Sequence, residues 1–139
     1  MPIKAVIDTN VWVSALLNPG MARQIVHCLH TDGFQVVCAD ELLAELLRVL
    51  SRPRITAMVA KEDVGELLAM IQDKSCFVQL QNIPSVSRDP NDDMLLACAL
   101  AAQADNLVTG DDDLQCLQNY QGIQIITPAR FCEILGMHL

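Results

Sequence analysis

Two short acidic stretches raise a chemical question. Residues 88–93 read RDPNDD and run directly into the apolar segment MLLACALAA, and TGDDDL follows the apolar NLV at 106–108. Two further acids hold comparable places: Asp8 closes the apolar run IKAVI, and Glu45 lies within ELLAELLRVL. Acids at a helix start commonly act as caps, because their oxygens accept from free backbone N–H groups and oppose the helix dipole. Capping accounts for Asp40 and Glu41, and for any one of the others alone. It does not account for the set, since Thr9 and Asn10 could cap the first helix without Asp8. If Asp8, Glu45, Asp92 and Asp111 converge, two carboxylates about 4 Å apart repel by about 4 kcal/mol at an effective dielectric of about 20. That strain is large against a total stability of about 5–15 kcal/mol. A divalent cation relieves it, and all-oxygen ligand sets favour Mg²⁺ or Mn²⁺. Such ions keep positions open for water and phosphate oxygens, so metal-assisted phosphodiester hydrolysis is the chemistry to expect. The chain has neither a Walker loop nor GxGxxG, which leaves a glycine phosphate cradle without support.

The elements that must position these acids alternate. Ile3–Ile7, Phe34–Cys38, Cys76–Leu80, Asn106–Thr109 and Ile123–Thr127 read as short buried strands. Asn10 can cap a helix through VWVSALL, and a second is expected over Ala22–His30. Asp40 is placed to cap ELLAELLRVL, which must end at Arg52-Pro53. Residues 54–74 are expected to hold one or two helices, with Glu62, Asp63 and Glu66 on the wet side. Asp89 and Pro90 read as a turn before a helix over Met94–Gln103, TGDDDL opens a short helical turn, and Pro128 starts ARFCEIL. Alternating strands and helices with nonalternating strands imply a parallel sheet covered by helices on both faces. Ligands of such sheets bind beyond the carboxyl ends of the strands, where Asp8 and Asp111 fall. Within ELLAELLRVL, Glu45 lies roughly 40° from the edge of the apolar arc and Glu41 roughly 80°, so Glu45 is better placed to face a cleft.

The 139 residues suit one domain spanning 1–139, and 52% hydrophobic content argues against disorder. No segment reads as a signal peptide, and Met94–Ala102 is far shorter than the ~20 residues of a membrane span. The six cysteines are scattered singly beside apolar neighbours, which suits small buried hydrophobes in a reduced, cytoplasmic protein. His27 and His30 lie one helical turn apart, but lack nearby partners for a zinc shell. A net charge of −8 argues against strong nonspecific nucleic-acid binding and favours cations or a basic partner. Trp12 reads as core rather than as a base-stacking platform.

The order AVIDTNVWVSALL, ELLAELLRVLSRP, RDPNDDMLLACALAAQADNLVTGDDDL resembles the PIN domain family (named for the PilT N-terminus). It is most similar to the branch of VapC-type toxins of toxin–antitoxin pairs, and the likeness runs from about Ile3 to Leu135. The resemblance implies a three-layer α/β/α sandwich with a central, mostly parallel, Rossmann-like sheet. It also implies endoribonuclease activity dependent on Mg²⁺ or Mn²⁺. By position, Asp8 of IDTN, Glu45 of LAELL, Asp92 of DPND and Asp111 of TGD match the four family acids, as catalytic residues and metal ligands. Asp93 competes with Asp92 for that place, with the other capping the helix, and Asp113 matches an accessory acid. Asn10, Ser14 and Thr109 match supporting polar positions, whereas Asp112 reads as solvated. An RNA substrate, an antitoxin partner and a homodimer are further expectations from the resemblance. Arg23, Arg48, Arg52, Arg54 and Arg88 are the candidates for RNA contacts.

Two other readings fit parts of the pattern. A phosphatase or phosphoryl-transfer domain of haloacid-dehalogenase or receiver type would want DxD after the first strand, or a Lys after a late one; Asp8-Thr9-Asn10 and residues 108–130 provide neither. A noncatalytic PIN-fold module would use the same fold to bind protein.

Overall fold

The central strands are buried without alternation. In β1 (Lys4–Ile7) the last three residues are buried, in β2 (Gln35–Cys38) the last three, and in β4 (Asn106–Val108) all of them. Strands with no wet face need cover on both sides, which is the condition of a parallel sheet between helices. The computed structural model, which describes residues 2–136, has that architecture. A six-stranded sheet runs in the order β3-β2-β1-β4-β6-β5, completed by β3 (Cys76–Phe77), β5 (Asn119–Tyr120) and β6 (Ile123–Ile126). All neighbours are parallel except β5 and β6, which form an antiparallel pair.

Helices α1 (Thr9–Leu17) and α2 (Met21–His30) follow β1, and α3 (Asp40–Leu50) follows β2. Residues 54–74 divide into α4 (Pro53–Thr56) and α5 (Lys61–Lys74). Helix α6 (Pro90–Ala102) packs on β1, β2 and β4, its Leu95, Leu96, Ala97, Cys98 and Ala99 all buried. The short α7 (Asp112–Gln115) follows β4, and α8 (Pro128–Ile134) packs back on α2. Trp12 is buried in the core, as expected of it. Among the described residues, no helix is long and apolar enough to cross a membrane.

Several local expectations are corrected. Helix α6 begins at Pro90, four residues before Met94, because Asp89 caps it through Oδ1 to Asn91 N (3.0 Å) and Pro90 tolerates the first helical position. Neither Asp92 nor Asp93 is therefore the cap. Asp8, not Asn10, caps α1, accepting from Asn10 N at 3.3 Å. Asp40 is already inside α3, whose cap position is Ala39 with no side-chain bond. Strand β3 is two exposed residues rather than five: Val78 N still reaches Cys38 O, but β2 ends there and leaves Gln79 and Leu80 without a partner strand. The antiparallel β5 was not foreseen, since two residues carry no periodicity. Cys76 and Cys116 are exposed; Cys38, Cys98 and Cys132 are buried as expected, and Cys28 is partly so.

Candidate active site

The chain runs from β1 outward to β2 and β3, then returns to place β4 on the other side of β1. That reversal makes the carboxyl ends of β1 and β4 a switch point, where a crevice opens between the diverging loops. A cavity of about 280 Å³ lies there, walled by Asp8, Glu45, Asp89, Asp92 and Asp111, with Asn10, Asn91, Arg48 and Arg52. The five acids arrive from four elements. Asp8 ends β1, Glu45 sits on the second turn of α3, Asp89 and Asp92 lie at the start of α6, and Asp111 caps α7.

Asp8 is only 6% exposed. Thr109, itself wholly buried, donates its Oγ1 proton to Asp8 Oδ2 at 2.7 Å. The same oxygen accepts from Asp111 N at 3.0 Å, so one hydroxyl aligns two acids. Asp92, 4% exposed, accepts from Ser87 Oγ at 3.0 Å. Asp93 points elsewhere: its Oδ1 accepts from Val86 N (3.1 Å) and Ser87 N (2.9 Å), clasping the segment before the helix. Glu45 is bound by Arg48, through Nη2 to Oε1 at 2.6 Å and Nε to Oε2 at 3.0 Å.

The electrostatics follow from burial and crowding. Burial pushes the Asp8 carboxyl above its ordinary 3.8, the Thr109 and Asn10 hydrogen bonds work against this, and the negative charges of Asp111 and Asp89 add to it. Asp92 is pushed up to about 6, chiefly by burial and further by Asp111, Asp89 and Asp8, against the Ser87 hydrogen bond. Two buried carboxyls that resist ionisation beside further acids form a field that a cation would relieve. The oxygen-only donors fit a hard divalent ion. Among the described residues, no three or more His, Cys, Asp or Glu side chains are grouped closely enough to hold a metal ion together.

Of the residues singled out in sequence, Asp8, Asn10, Glu45, Asp92 and Asp111 face this cavity, and Thr109 stands directly behind Asp8. Three other supporting residues do not line it either. Asp93 holds the preceding segment, Ser14 is exposed on α1, and Asp113 is paired with Arg88 Nη2 at 2.9 and 3.1 Å. Among the arginines, Arg48 and Arg52 line the cavity and Arg54 does not. Arg88 is committed to Asp113, and Arg23 donates to Ala15 O beside a different cavity that contains His27 and His30. Asp89 was missed as a wall of the site. The Asp-Pro step that makes it the cap of α6 was the available signal.

Comparison with known proteins bears on the family and the fold. Residues 4–113, from β1 through the last acid of TGDDD, match the PIN domain profile. An uncharacterized protein of Methanocaldococcus jannaschii is 27% identical over 141 residues, covering 94% of this chain and 90% of that protein. A crystal structure from Pyrobaculum aerophilum superposes with a TM-score of 0.66 at 13% identity, over 96% of this chain and 90% of that one. The VapBC2 structure from Rickettsia felis, bound to a DNA fragment from their promoter, gives 0.59 at 15% identity, over 90% and 98%. The two structures share the fold, an α/β sandwich on a mostly parallel sheet. Because the matched profile spans most of the chain, including all five acids of the cavity, this protein belongs to the PIN domain family.

Proposed function

We propose that this chain, as a single PIN-like domain over residues 1–139, is an endoribonuclease dependent on Mg²⁺ or Mn²⁺. The observation that carries the reading is that two buried carboxyls, Asp8 and Asp92, share one cavity with Asp89 and Asp111, and among the described residues none of the four is paired with a cation. Asp8, Asp92 and Asp111 would hold the divalent ion, and Glu45 would join them once released from Arg48. A bound ion supplies a polarised phosphoryl oxygen and an activated water. Thr109 favours the ionised form of Asp8, against the effect of burial, and aims it into the cavity by donating to Oδ2. Ser87 does the same for Asp92. Arg52, on the cavity wall, is placed to meet substrate phosphate; Arg23, Arg54 and Arg88 stand away from that wall.

Membership of the PIN family and the fold shared with VapBC2 support a toxin of a toxin–antitoxin pair. An antitoxin partner and a homodimer belong to the same reading. The deciding experiment measures cleavage of a mixed single-stranded RNA with Mg²⁺ or Mn²⁺ and with EDTA, for the wild type and Asp8→Asn. Cleavage is expected only with metal and only in the wild type. Equal cleavage by the variant would remove this site from the reaction. One observation favours a noncatalytic binding module: among the described residues, no three acidic, His or Cys side chains are grouped closely enough to hold a metal ion. Thermal melting in Mn²⁺ separates the two, because an ion bound by the folded state raises Tm.

A further inference from the structure

Glu45 differs from the other acids of the cavity. Asp8, Asp89, Asp92 and Asp111 are held by hydroxyl or backbone N–H donors, whereas Glu45 is gripped by a guanidinium at two points. Glu–Arg pairs three residues apart are common on helix surfaces and contribute little there. This pair is not an ordinary surface pair. The Glu45 side chain is only 17% exposed, both partners line the acidic cavity, and Arg48 keeps 59% of its side chain in solvent. A fork that engages both carboxylate oxygens leaves Glu45 little freedom to ligate anything else. The same fork matches the geometry of a phosphate anion equally well.

We propose that Arg48 is a positioning residue that locks Glu45 away from the metal site. Capture of a phosphodiester by Arg48 releases Glu45 to a divalent cation, so the anion and the cation bind cooperatively. The inference rests on the metal-dependent reading above and adds its regulation: metal is held loosely until substrate phosphate reaches the arginine. Reciprocity requires that the cation tighten phosphate binding by the same factor. It also offers a role for an arginine in a chain with net charge −8, since the pair is formally neutral until the anion arrives.

The test is Mn²⁺ titration by calorimetry on the full chain, with and without saturating dimethyl phosphate, a diester too small to be a substrate. In the wild type, dimethyl phosphate is expected to tighten Mn²⁺ binding by about tenfold, within the usual range of coupling between sites. Arg48→Gln is expected to bind Mn²⁺ about tenfold more tightly without the diester and to lose the coupling. Arg52→Gln removes the same charge from the same wall without breaking a hydrogen bond to Glu45; it is expected to weaken the diester's own binding, to raise Mn²⁺ affinity less, and to keep the coupling once the diester is saturating. Circular dichroism checks that each variant is folded. Equal gains in the two arginine variants would reduce the effect to general electrostatics and overturn the lock. Coupling that survives in Arg48→Gln, or is absent in the wild type, would overturn it as well. Mn²⁺ binding with these failures leaves the nuclease reading intact; no Mn²⁺ binding in any protein removes both.

Discussion

Thr109 has one hydroxyl and uses it twice, donating to Asp8 Oδ2 at 2.7 Å and accepting from Asp111 N at 3.0 Å. Thr109→Val keeps the shape and removes both bonds. Leaving buried polar groups unpaired is expected to cost about 1–3 kcal/mol in urea unfolding. Loss of a group that orients a ligand is expected to weaken Mn²⁺ binding by about 10–100-fold. Unchanged Mn²⁺ affinity in Thr109→Val would show that Asp8 is aimed by something else. The Asp92 carboxyl gives a pH signature. Its folded pKa of about 6 lies above the ordinary 3.8, so between those values the native state holds the proton more tightly than the unfolded chain. Its contribution to stability is therefore full below the ordinary value and is lost as pH rises through about 6. In metal-free protein, Asp92→Asn should gain stability relative to wild type as the pH of a melting series rises from about 4 to about 7. Saturating Mn²⁺ should abolish that gain, because the ion stabilises the ionised wild-type carboxyl. A stability difference that stays flat with pH would contradict the raised pKa.

Helix α6 shows how one turn separates three tasks. Asp89 caps the helix, Asp92 enters the cavity, and Asp93 turns back to hold Val86 and Ser87. Successive helical residues are rotated by about 100°, so adjacent aspartates cannot share a direction. The three tasks are coupled through Ser87, whose backbone is held by Asp93 and whose hydroxyl holds Asp92. Asp93→Ala frees two backbone donors and is expected to cost about 1–3 kcal/mol. Limited proteolysis should then cut within residues 84–88 faster than in the wild type. Unaltered protease resistance there would mean the segment is held by its other contacts.

Across the whole molecule, the site depends on the reversal of strand order between the parallel neighbours β1 and β4. The acids are contributed by strands and helices that meet only after the sheet has formed. The closing helix α8 secures that sheet from far away in sequence. Phe131 is fully buried and meets Phe34, just before β2, edge to face at 5.0 Å and 87°. Phe131→Ala should therefore cost about 3–5 kcal/mol of unfolding free energy, the usual range for a buried aromatic. The remaining folded protein should bind Mn²⁺ as the wild type does, since Phe131 is not a wall of the cavity. Loss of Mn²⁺ binding in the folded fraction would tie the core more closely to the site than the packing indicates.

Buried strands, their order relative to the helices, and the acids at their ends were legible in the sequence. Runs such as AVI and NLV state locally that no face is wet, and Glu45 rather than Glu41 follows from angular position on one helix. Helix starts were less legible, because several polar residues in a row can each cap, and only the backbone path chose Asp8 and Asp89. The long-range pairings were decided by tertiary structure alone. Thr109 and Asp8 stand 101 residues apart, and their bond exists because β4 lies beside β1. Arg88 likewise answers Asp113 across 25 residues, whereas the bonds of Asp93 to Val86 and Ser87 are local, made within the turn before its own helix. Burial is encoded residue by residue along the chain, whereas the partner of a polar side chain depends on which distant segment the fold sets within hydrogen-bonding reach.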